Sequence, residues 1–400
     1  MNFTFRFARL CILSIGVVFF CSACLSTKTN HANLIPAKQL LNDSAFSHFE
    51  SYPIEQASDI FALDEAAMEF IAETTAGLQN DEEKIQRLIH RIFARSELDL
   101  IYDASANTVA SDTFKNASAN CLSLTIMTYA MAKAAGFQTD FQIVEIPEYW
   151  TRRAGYSLLN GHINLRVKAK IRTSVQKLLE DTYIVDFDPP TRTHKFSTES
   201  VSQKVVLAMF YNNKAADALL KQNDELAYAY LREAILADES YAGAWVNLGL
   251  LYRQAGHSEL AMKAYLRAIE LDDDYNTAWE NLAVLYQQMG NIKAASEINS
   301  RLSSKRDANP FYHQMLAEID REEGRFEKSI LHYEKAIRLN NKQHQFYFGL
   351  ASVYFEKGEF EKSERFLRIA KRKAGKGKVA DIYLNKITAL SSFIASTQPK

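Results

Sequence analysis

Ala-Trp-Val-Asn-Leu-Gly-Leu-Leu-Tyr-Arg-Gln-Ala-Gly at residues 244–256 returns 34 positions later as Ala-Trp-Glu-Asn-Leu-Ala-Val-Leu-Tyr-Gln-Gln-Met-Gly at residues 278–290. The same register continues through residues 313–324 and 347–358, and a weaker copy begins at Tyr211. No insertion interrupts the register. A fixed period of this length is typical of proteins built from stacked helical pairs.

The spacing within each copy has a physical reason. A large residue at the first position and a small one at the fifth let two helices nest against each other. The glycine that closes each stretch ends the first helix in a left-handed cap. One helical pair cannot bury its apolar face alone, so the copies must stack. The pattern therefore predicts a solenoid of five helical pairs over residues 208–377, followed by a capping helix and tail in residues 378–400.

In length and pattern these copies resemble the tetratricopeptide repeat. The resemblance implies a concave groove, lined by the first helix of each pair, that binds a protein or peptide ligand. The side chains expected to bind in that groove are Arg253, Gln287, Glu318, Arg321, Phe348 and Phe355. The alternative is that several of the groove residues pack against the domain that precedes the repeats.

The N-terminal residues predict an export signal rather than a part of the fold. Arg6 and Arg9 precede an apolar stretch from Leu10 to Phe20, which is too short to cross a bilayer comfortably. Cys21-Ser22-Ala23-Cys24 follows it and resembles the processing site of bacterial lipoproteins, although Cys21 stands where leucine is usual. Residues 1–24 are therefore predicted to be a signal peptide and Cys24 to be lipidated. The alternatives are a cleaved soluble periplasmic protein and an uncleaved anchor.

The residue after Cys24 bears on where such an anchor would reside. Leu25 occupies the position where lipoproteins retained in the inner membrane often carry aspartate. The resemblance thus implies a bacterial envelope protein at the outer membrane, facing the periplasm. Residues 25–58, rich in Ser, Asn, Ala and Thr, are expected to be a tether to the membrane.

Charge and composition exclude some classes of partner. The formal net charge is −1, so we expect no nucleic-acid partner. The histidines are scattered, with no metal-ligand spacing, and no glycine-rich phosphate loop stands out. The sequence thus predicts neither a metal nor another cofactor.

Residues 59–195 carry no repeat and predict an α+β domain. A helix is expected to open at Cys121 and to end at Gly136, and strands are expected over 141–146, 161–167 and 182–188. The other three of the four cysteines lie at or before Cys24, so Cys121 has no intramolecular disulfide partner once the signal peptide is removed. A thiol at a helix start favours reactivity, because the helix dipole stabilises the thiolate. The alternative is an inert core cysteine.

Three short segments of this domain carry a second resemblance. Asn120-Cys121-Leu122 on a helix, Gly161-His162-Ile163 on a strand and Val185-Asp186-Phe187 on the next strand resemble the transglutaminase-like, papain-related superfamily. The resemblance covers roughly 130 residues and implies a catalytic triad of Cys121, His162 and Asp186. Asp188 lies on the same face of its strand and precedes a proline, so it is the alternative third member.

The chemistry of such a triad requires these residue types. The cysteine attacks as a thiolate, so a histidine must take or share its proton. A carboxylate on the second ring nitrogen fixes the histidine tautomer and stabilises the imidazolium. Trp150 is expected either in a loop over the cleft or as a packing anchor.

Two functions follow from these expectations. The first is a cysteine acyl-transfer enzyme of the cell envelope, which hydrolyses or transfers peptide or amide groups through a thioester while the solenoid binds protein. The second is a catalytically silent lipoprotein adaptor that assembles envelope proteins through its repeats. An intact Cys–His–Asp set favours the first function, and the lack of a readable substrate pocket leaves the second open.

Overall fold

The computed structural model describes residues 36–94, 97–153, 156–169, 182–186 and 196–397. Ile35–Lys400 form one compact unit. The unit contains a mixed layer of helices and strands up to residue 201, followed by an array of helices. None of the helices in the described ranges is long and apolar enough to cross a membrane.

The mixed layer follows the chain order of helices, then strands. Its helices are α1 (Ala37–Leu40), α2 (Ala57–Ile60), α3 (Glu65–Thr75), α4 (Asp81–Phe93), α5 (Ala110–Asn116) and α6 (Cys121–Ala134). Its strands are β1 (Ile101–Tyr102), β2 (Ser118–Ala119), β3 (Gln138–Val144), β4 (Tyr149–Arg153), β5 (Tyr156–Asn160), β6 (Ile163–Lys168), β7 (Thr182–Val185) and β8 (Thr198–Val201).

The main sheet has four antiparallel strands in the order β7-β6-β3-β8. Helix α6 packs on this sheet, and the Tyr129 ring of α6 stacks on Phe141 of β3 with 4.5 Å between ring centroids. Strands β4 and β5 form a separate hairpin between β3 and β6. This hairpin, the short pair β1-β2 and strand β8 were not among the three strands expected from the sequence.

The helical array begins at Gln203. It consists of α7 (Gln203–Leu220), α8 (Asp224–Ala237), α9 (Ala242–Gln254), α10 (Ser258–Leu271), α11 (Asn276–Gln288), α12 (Ile292–Arg306), α13 (Pro310–Glu322), α14 (Phe326–Leu339), α15 (His344–Glu356) and α16 (Phe360–Ala374). These helices make five successive pairs, and α17 (Lys378–Thr397) packs on the last one. One hydrophobic core runs from the mixed layer into the first pairs, from Leu40 and Leu124 to Trp245 and Leu285.

The glycines that close the first helix of each pair adopt the left-handed conformation that the pattern predicted. Gly256, Gly290, Gly324 and Gly358 follow the first helices of their pairs with φ between +73° and +83°. Gly249 has a different role, because a Cβ at that position would lie 2.5 Å from a ring carbon of Tyr265 on α10. The small fifth position thus lets the two helices of a pair approach closely.

Residues 36–58, the described part of the stretch expected to be a tether, begin the mixed layer and are docked on the helical array. The Tyr252 hydroxyl donates to the Leu40 carbonyl at 2.9 Å and accepts from the Asn42 amide at 3.0 Å. The buried Phe46 stacks on Tyr228 with ring centroids 4.7 Å apart. Composition alone concealed these apolar anchors among the Ser, Asn and Ala residues.

Candidate functional site

Cys121 is the first residue of α6, as the sequence predicted. The side chain of the preceding Asn120 caps this helix by accepting from the Ser123 amide at 2.8 Å. The Cys121 side chain is half-buried, and its sulfur lies 4.0 Å from the carbonyl oxygen of Gly161, between β5 and β6. The thiol is therefore neither sealed in the core nor remote from the histidine strand.

His162 and Asp186 are in direct contact. His162 Nε2 lies 2.9 Å from Asp186 Oδ1, and both side chains are buried, at 3% and 7% exposure. The pairing of β6 with β7 places Leu165 opposite Val185, so His162 and Asp186 lie just beyond the ends of the paired segment. The alternative third member, Asp188, lies outside the described residues.

The charges around His162 favour its protonated form. Burial lowers the pKa of His162, but the hydrogen bonds to Asp186 and Cys121, together with their negative charges, outweigh burial and raise the pKa to about 10. The raised pKa favours the imidazolium form, in which both ring nitrogens carry a proton. In the imidazolium form Nε2–H donates to Asp186, and Nδ1 is the other ring nitrogen available to a partner.

A further polar residue on β6 supports the carboxylate. Asn164 lies two residues after His162 on the same strand, and its Nδ2 donates to Asp186 Oδ2 at 3.4 Å. One histidine and one amide thus hold the two carboxylate oxygens of Asp186. The period-two alternation of the strand was the signal for Asn164, because residues 162 and 164 share a face.

The β4–β5 hairpin, which leads into His162, is attached to the helical array. The Trp150 ring is 7% exposed and lies 6.0 Å from the Tyr312 ring, with the guanidinium of Arg306 above it at 4.9 Å. Arg306 also binds Glu148 just before the hairpin. Of the two expectations for Trp150, the packing anchor agrees with these contacts.

The residues expected to line the groove do not form one continuous free surface. Arg253 donates to Asn281 at 3.5 Å, and Gln287 is exposed. Arg321 binds Glu318 at 3.3 Å and Glu356 at 2.6 Å. Phe348 stacks on Tyr383 of α17, whereas Phe355 is 52% exposed.

Two other residues, on the first helices of their pairs, show why the expected surface is interrupted. Val246 on α9 is buried in the core that α9 shares with the mixed layer. Glu280 on α11 binds Arg306, which holds the hairpin. The alternative that some of these residues pack against the preceding domain therefore applies to the first repeats. Glu318, Arg321 and Phe355 lie further along, where side-chain contacts come from the repeats themselves.

Two further expectations concern groups that the structure does not contain or describe. Cys24 lies outside the described residues. Within the described ranges, no group of three or more His, Cys, Asp or Glu side chains is arranged to hold a metal ion.

Comparison with known proteins supports the repeat prediction. The family model described as "TPR repeat" matches residues 249–290 and 317–358. The prediction of tetratricopeptide repeats is thereby confirmed, and the C-terminal part of the chain is a helix-rich solenoid of such repeats. Repeats of this kind commonly bind peptides or proteins.

Several solved structures are similar to the chain over less than half of its length. One, from Pseudomonas aeruginosa and reported as a functional characterization of pilF, is 18% identical with a TM-score of 0.28 and covers 49% of this chain and 90% of its own. MamA from Desulfovibrio magneticus RS-1 is 16% identical with a TM-score of 0.25 and covers 42% and 94%.

A third solved structure, YrrB, is described as a TPR protein with an unusual peptide-binding site. It is 16% identical with a TM-score of 0.25 and covers 45% of this chain and 92% of its own. No curated protein matches the chain.

Proposed function

We propose that the mixed layer is a transglutaminase-like cysteine acyl-transfer domain whose nucleophile is Cys121. The observation that carries this proposal is the contact between His162 and Asp186 beside the Cys121 thiol, at 2.9 Å between Nε2 and Oδ1. A buried imidazolium held by a carboxylate on one nitrogen and a cysteine on the other is the arrangement that activates a thiol nucleophile.

The reaction begins with attack of the Cys121 sulfur on the carbonyl carbon of a peptide or amide. The carbonyl oxygen becomes an oxyanion, and the proposed donors to it are backbone amides of the first turn of α6 other than that of Ser123, which Asn120 caps. His162 then gives its proton to the departing amine as the C–N bond breaks. The products of this step are a thioester on Cys121 and a free amine.

The second half of the reaction regenerates the thiol. Water or a second amine attacks the thioester carbon, and His162 accepts the proton that this nucleophile loses. Cys121 leaves as the thiolate and the acyl group departs as an acid or a new amide. Asp186 stays ionised throughout and holds the ring orientation, with Asn164 holding the carboxylate.

The experiment that tests this proposal measures the reactivity of Cys121 in the folded full chain. Fluorescent iodoacetamide is added at pH 7, and peptide mapping separates the Cys121 adduct from adducts at the N-terminal cysteines. We expect rapid labelling of Cys121 and slow labelling in His162→Ala. A chain whose Cys121 resists labelling until it is unfolded contradicts the proposal.

A second assay addresses turnover. Casein peptides are incubated with the full chain with and without dansylcadaverine, a fluorescent amine. Incorporation of the amine indicates transfer, cleavage without incorporation indicates hydrolysis, and both must vanish in Cys121→Ala.

The second candidate function is a silent adaptor, and the tetratricopeptide repeats favour it because repeats of this class commonly bind proteins. Protein binding by the repeats is compatible with either function. The adaptor alone remains if Cys121 labels no faster than a free thiol and no Cys121-dependent turnover is found.

For the cellular location, we propose a lipid anchor at Cys24 and the periplasmic face of the bacterial outer membrane. The support is the Cys21-Ser22-Ala23-Cys24-Leu25 sequence behind a short apolar stretch.

A further inference from the structure

Asp217, on the first helix of the repeat array, binds two different parts of the candidate active site. Its Oδ2 accepts from Asn107 Nδ2 at 2.6 Å, and its Oδ1 accepts from Arg153 Nη1 at 2.7 Å. Asn107 belongs to the loop before α5, which contacts the start of the cysteine helix, and Arg153 belongs to the hairpin before His162. One half-buried carboxylate therefore contacts both the cysteine side and the histidine side of the site.

The contact on the cysteine side continues to the start of α6. Asn107 Oδ1 accepts from Asn120 Nδ2 at 2.6 Å, and Asn120 Oδ1 accepts from the Ser123 amide at 2.8 Å. Asn120 is the residue before Cys121, so the chain of hydrogen bonds from Asp217 ends at the backbone that carries the thiol.

The loop that presents Asn107 is itself fixed to α6. The Ser123 hydroxyl donates to the Ala106 carbonyl at 2.7 Å and accepts from the Thr108 amide at 3.0 Å. Asn107 lies between these two anchored residues, so its amide has little freedom to leave Asp217. A shift of α7, which carries Asp217, must therefore be felt at the start of the cysteine helix.

The charge of Asp217 decides which group donates and which accepts in each of these hydrogen bonds. An ionised carboxylate only accepts hydrogen bonds, so Asn107 must turn its NH2 group toward Asp217 and its oxygen toward Asn120. Asn120 must then turn its own NH2 toward Asn107, which leaves its oxygen free to cap the Ser123 amide. A neutral amide at residue 217 would place an NH2 group where one of the two carboxylate oxygens now accepts, so the bond to Asn107 or to Arg153 would be lost or distorted.

The contact on the histidine side runs through the hairpin. Arg153 ends β4 opposite Tyr156 of β5, and β5 continues through Asn160 and Gly161 to His162. The Gly161 carbonyl is the atom that lies 4.0 Å from the Cys121 sulfur. The position of the hairpin thus bears on the distance between the thiol and the imidazole.

We infer that Asp217 is a positioning residue of the active site, through which the repeat array fixes the cysteine helix and the histidine strand relative to each other. This inference rests on the proposed cysteine chemistry. It also makes the solenoid a part of the catalytic unit, in addition to a surface that can bind protein.

The test is the pH dependence of iodoacetamide labelling of Cys121 in the folded full chain, from pH 5 to 10. The variants are Asp217→Asn, which removes the charge, and Asp217→Leu, which removes both acceptors. A displacement of about 1 Å costs on the order of 100-fold in catalysis, so we expect labelling at pH 7 to fall about tenfold in the leucine variant. We also expect its pH profile to move toward that of His162→Ala.

Two milder variants test the cysteine side and the histidine side of the site one at a time. They also test the inference if the Asp217 variants do not fold. Asn107→Ala breaks only the cysteine side, and Arg153→Ala breaks only the histidine side. Each should slow labelling, and each should add little when combined with Asp217→Leu, because the bond is already absent. Glu364→Gln is the matched control, since it removes a surface carboxylate that pairs with Arg368 on α16, away from the site.

The outcomes distinguish this inference from the proposed function. Fast labelling in the wild type and slow labelling in both His162→Ala and the folded Asp217 variants support both. If His162→Ala slows labelling while the Asp217, Asn107 and Arg153 variants behave as wild type, the inference is overturned and the proposed function stands. If Cys121 in the folded wild type does not react, both are overturned.

Discussion

Arg306 and Glu148 form a two-point ion pair between the repeat array and the β-hairpin. Arg306 Nε lies 3.0 Å from Glu148 Oε2, and Arg306 Nη2 lies 3.2 Å from Glu148 Oε1. The arginine side chain is only 3% exposed, and Glu280 of α11 takes its third nitrogen at 3.1 Å. The cation is thus enclosed by two carboxylates from opposite sides of the contact.

The first prediction concerns the loss of one partner of this buried cation. Glu148→Ala leaves Arg306 buried with Glu280 alone, and breaking a buried pair in this way costs about 3 kcal/mol. We expect the free energy of unfolding, measured in urea, to fall by about that amount.

Lys305→Ala is the matched control for this prediction. Lys305 is the neighbouring residue, and it pairs with Asp274 at the surface with 38% and 78% exposure. A pair of this kind contributes at most about 1 kcal/mol. Equal losses in the two variants would show that burial of Arg306 contributes nothing.

The second prediction concerns the close contact of Gly249 with Tyr265. A Cβ on Gly249 would meet the Tyr265 ring at 2.5 Å, so Gly249→Ala should cost about 2 kcal/mol by overpacking, despite the better helix propensity of alanine. At the equivalent positions of another copy, Ala351 coexists with the smaller Leu367. Thermal melts of Gly249→Ala, Tyr265→Leu and the double variant provide the test.

We expect Gly249→Ala to lower the melting temperature much less in the Tyr265→Leu background than in the wild type. The Tyr265 hydroxyl makes no hydrogen bond of regular geometry to the described residues but interacts with Arg253, so the single Tyr265→Leu variant is the reference for the loss of that interaction. Additive losses in the double variant would mean that the ring and the Cβ do not compete for the same space.

The repeat array could be predicted from the sequence because its determinants are local. Each glycine cap and each small fifth position acts within one helical pair, and the period repeats the signal. The start of α6 at Cys121 and its end near Gly136 were likewise local, since Asn120 caps one end and Gly136 has a positive φ at the other. The order of His162 and Asp186, which lie at the ends of β6 and β7, was expected from the family resemblance.

The contacts between the mixed layer and the repeats could not be predicted in the same way. Arg306 and Glu148 are 158 residues apart, and Asp217 and Asn107 are 110 apart. No periodicity relates such pairs, and each residue alone is an ordinary polar side chain. The docked segment around Phe46 escaped notice for a related reason, because a few apolar residues in a polar stretch become anchors only when a surface such as Tyr228 is present.

The third prediction is a pH dependence of stability caused by His162. The pKa of His162 is raised to about 10 in the folded chain, against about 6.5 for an unperturbed histidine. The stabilisation is therefore complete below about pH 6.5, falls as the pH rises and is lost above about pH 10. We expect the difference in unfolding free energy between wild type and His162→Gln to be on the order of 2 kcal/mol larger at pH 6 than at pH 10.

The control for this pH dependence is His48→Gln. The His48 side chain is 81% exposed and outside the candidate site, so His48→Gln tests whether replacing any histidine by glutamine gives the same result. A wild type–His162→Gln difference that stays constant from pH 6 to pH 10 would contradict the raised pKa of His162.

The fourth prediction concerns the proposed lipid anchor. Mass spectrometry of the chain expressed in a Gram-negative host should find Cys24 at the N-terminus with a diacylglyceryl group, and Cys24→Ser should lack it. Cys21→Leu is the matched control, because leucine is the usual residue three positions before the lipidated cysteine and should preserve processing. An unmodified N-terminus in the wild type, or equal loss of lipid in both variants, would remove the anchor from the proposal.

The last prediction separates the two aspartates near the end of β7. Asp186 holds the Nε2 side of His162, so Asp186→Asn should keep the fold but favour the wrong tautomer, as in the serine triad, where the equivalent change costs about 10⁴-fold. Cys121-dependent turnover of casein peptides should fall by several orders of magnitude. The melting temperature should change far less than the turnover. Asp188→Asn is the matched control, two residues away in the same chain segment, and should retain most of the activity. If Asp188→Asn is inactive and Asp186→Asn is active, the carboxylate that orients His162 during turnover is Asp188.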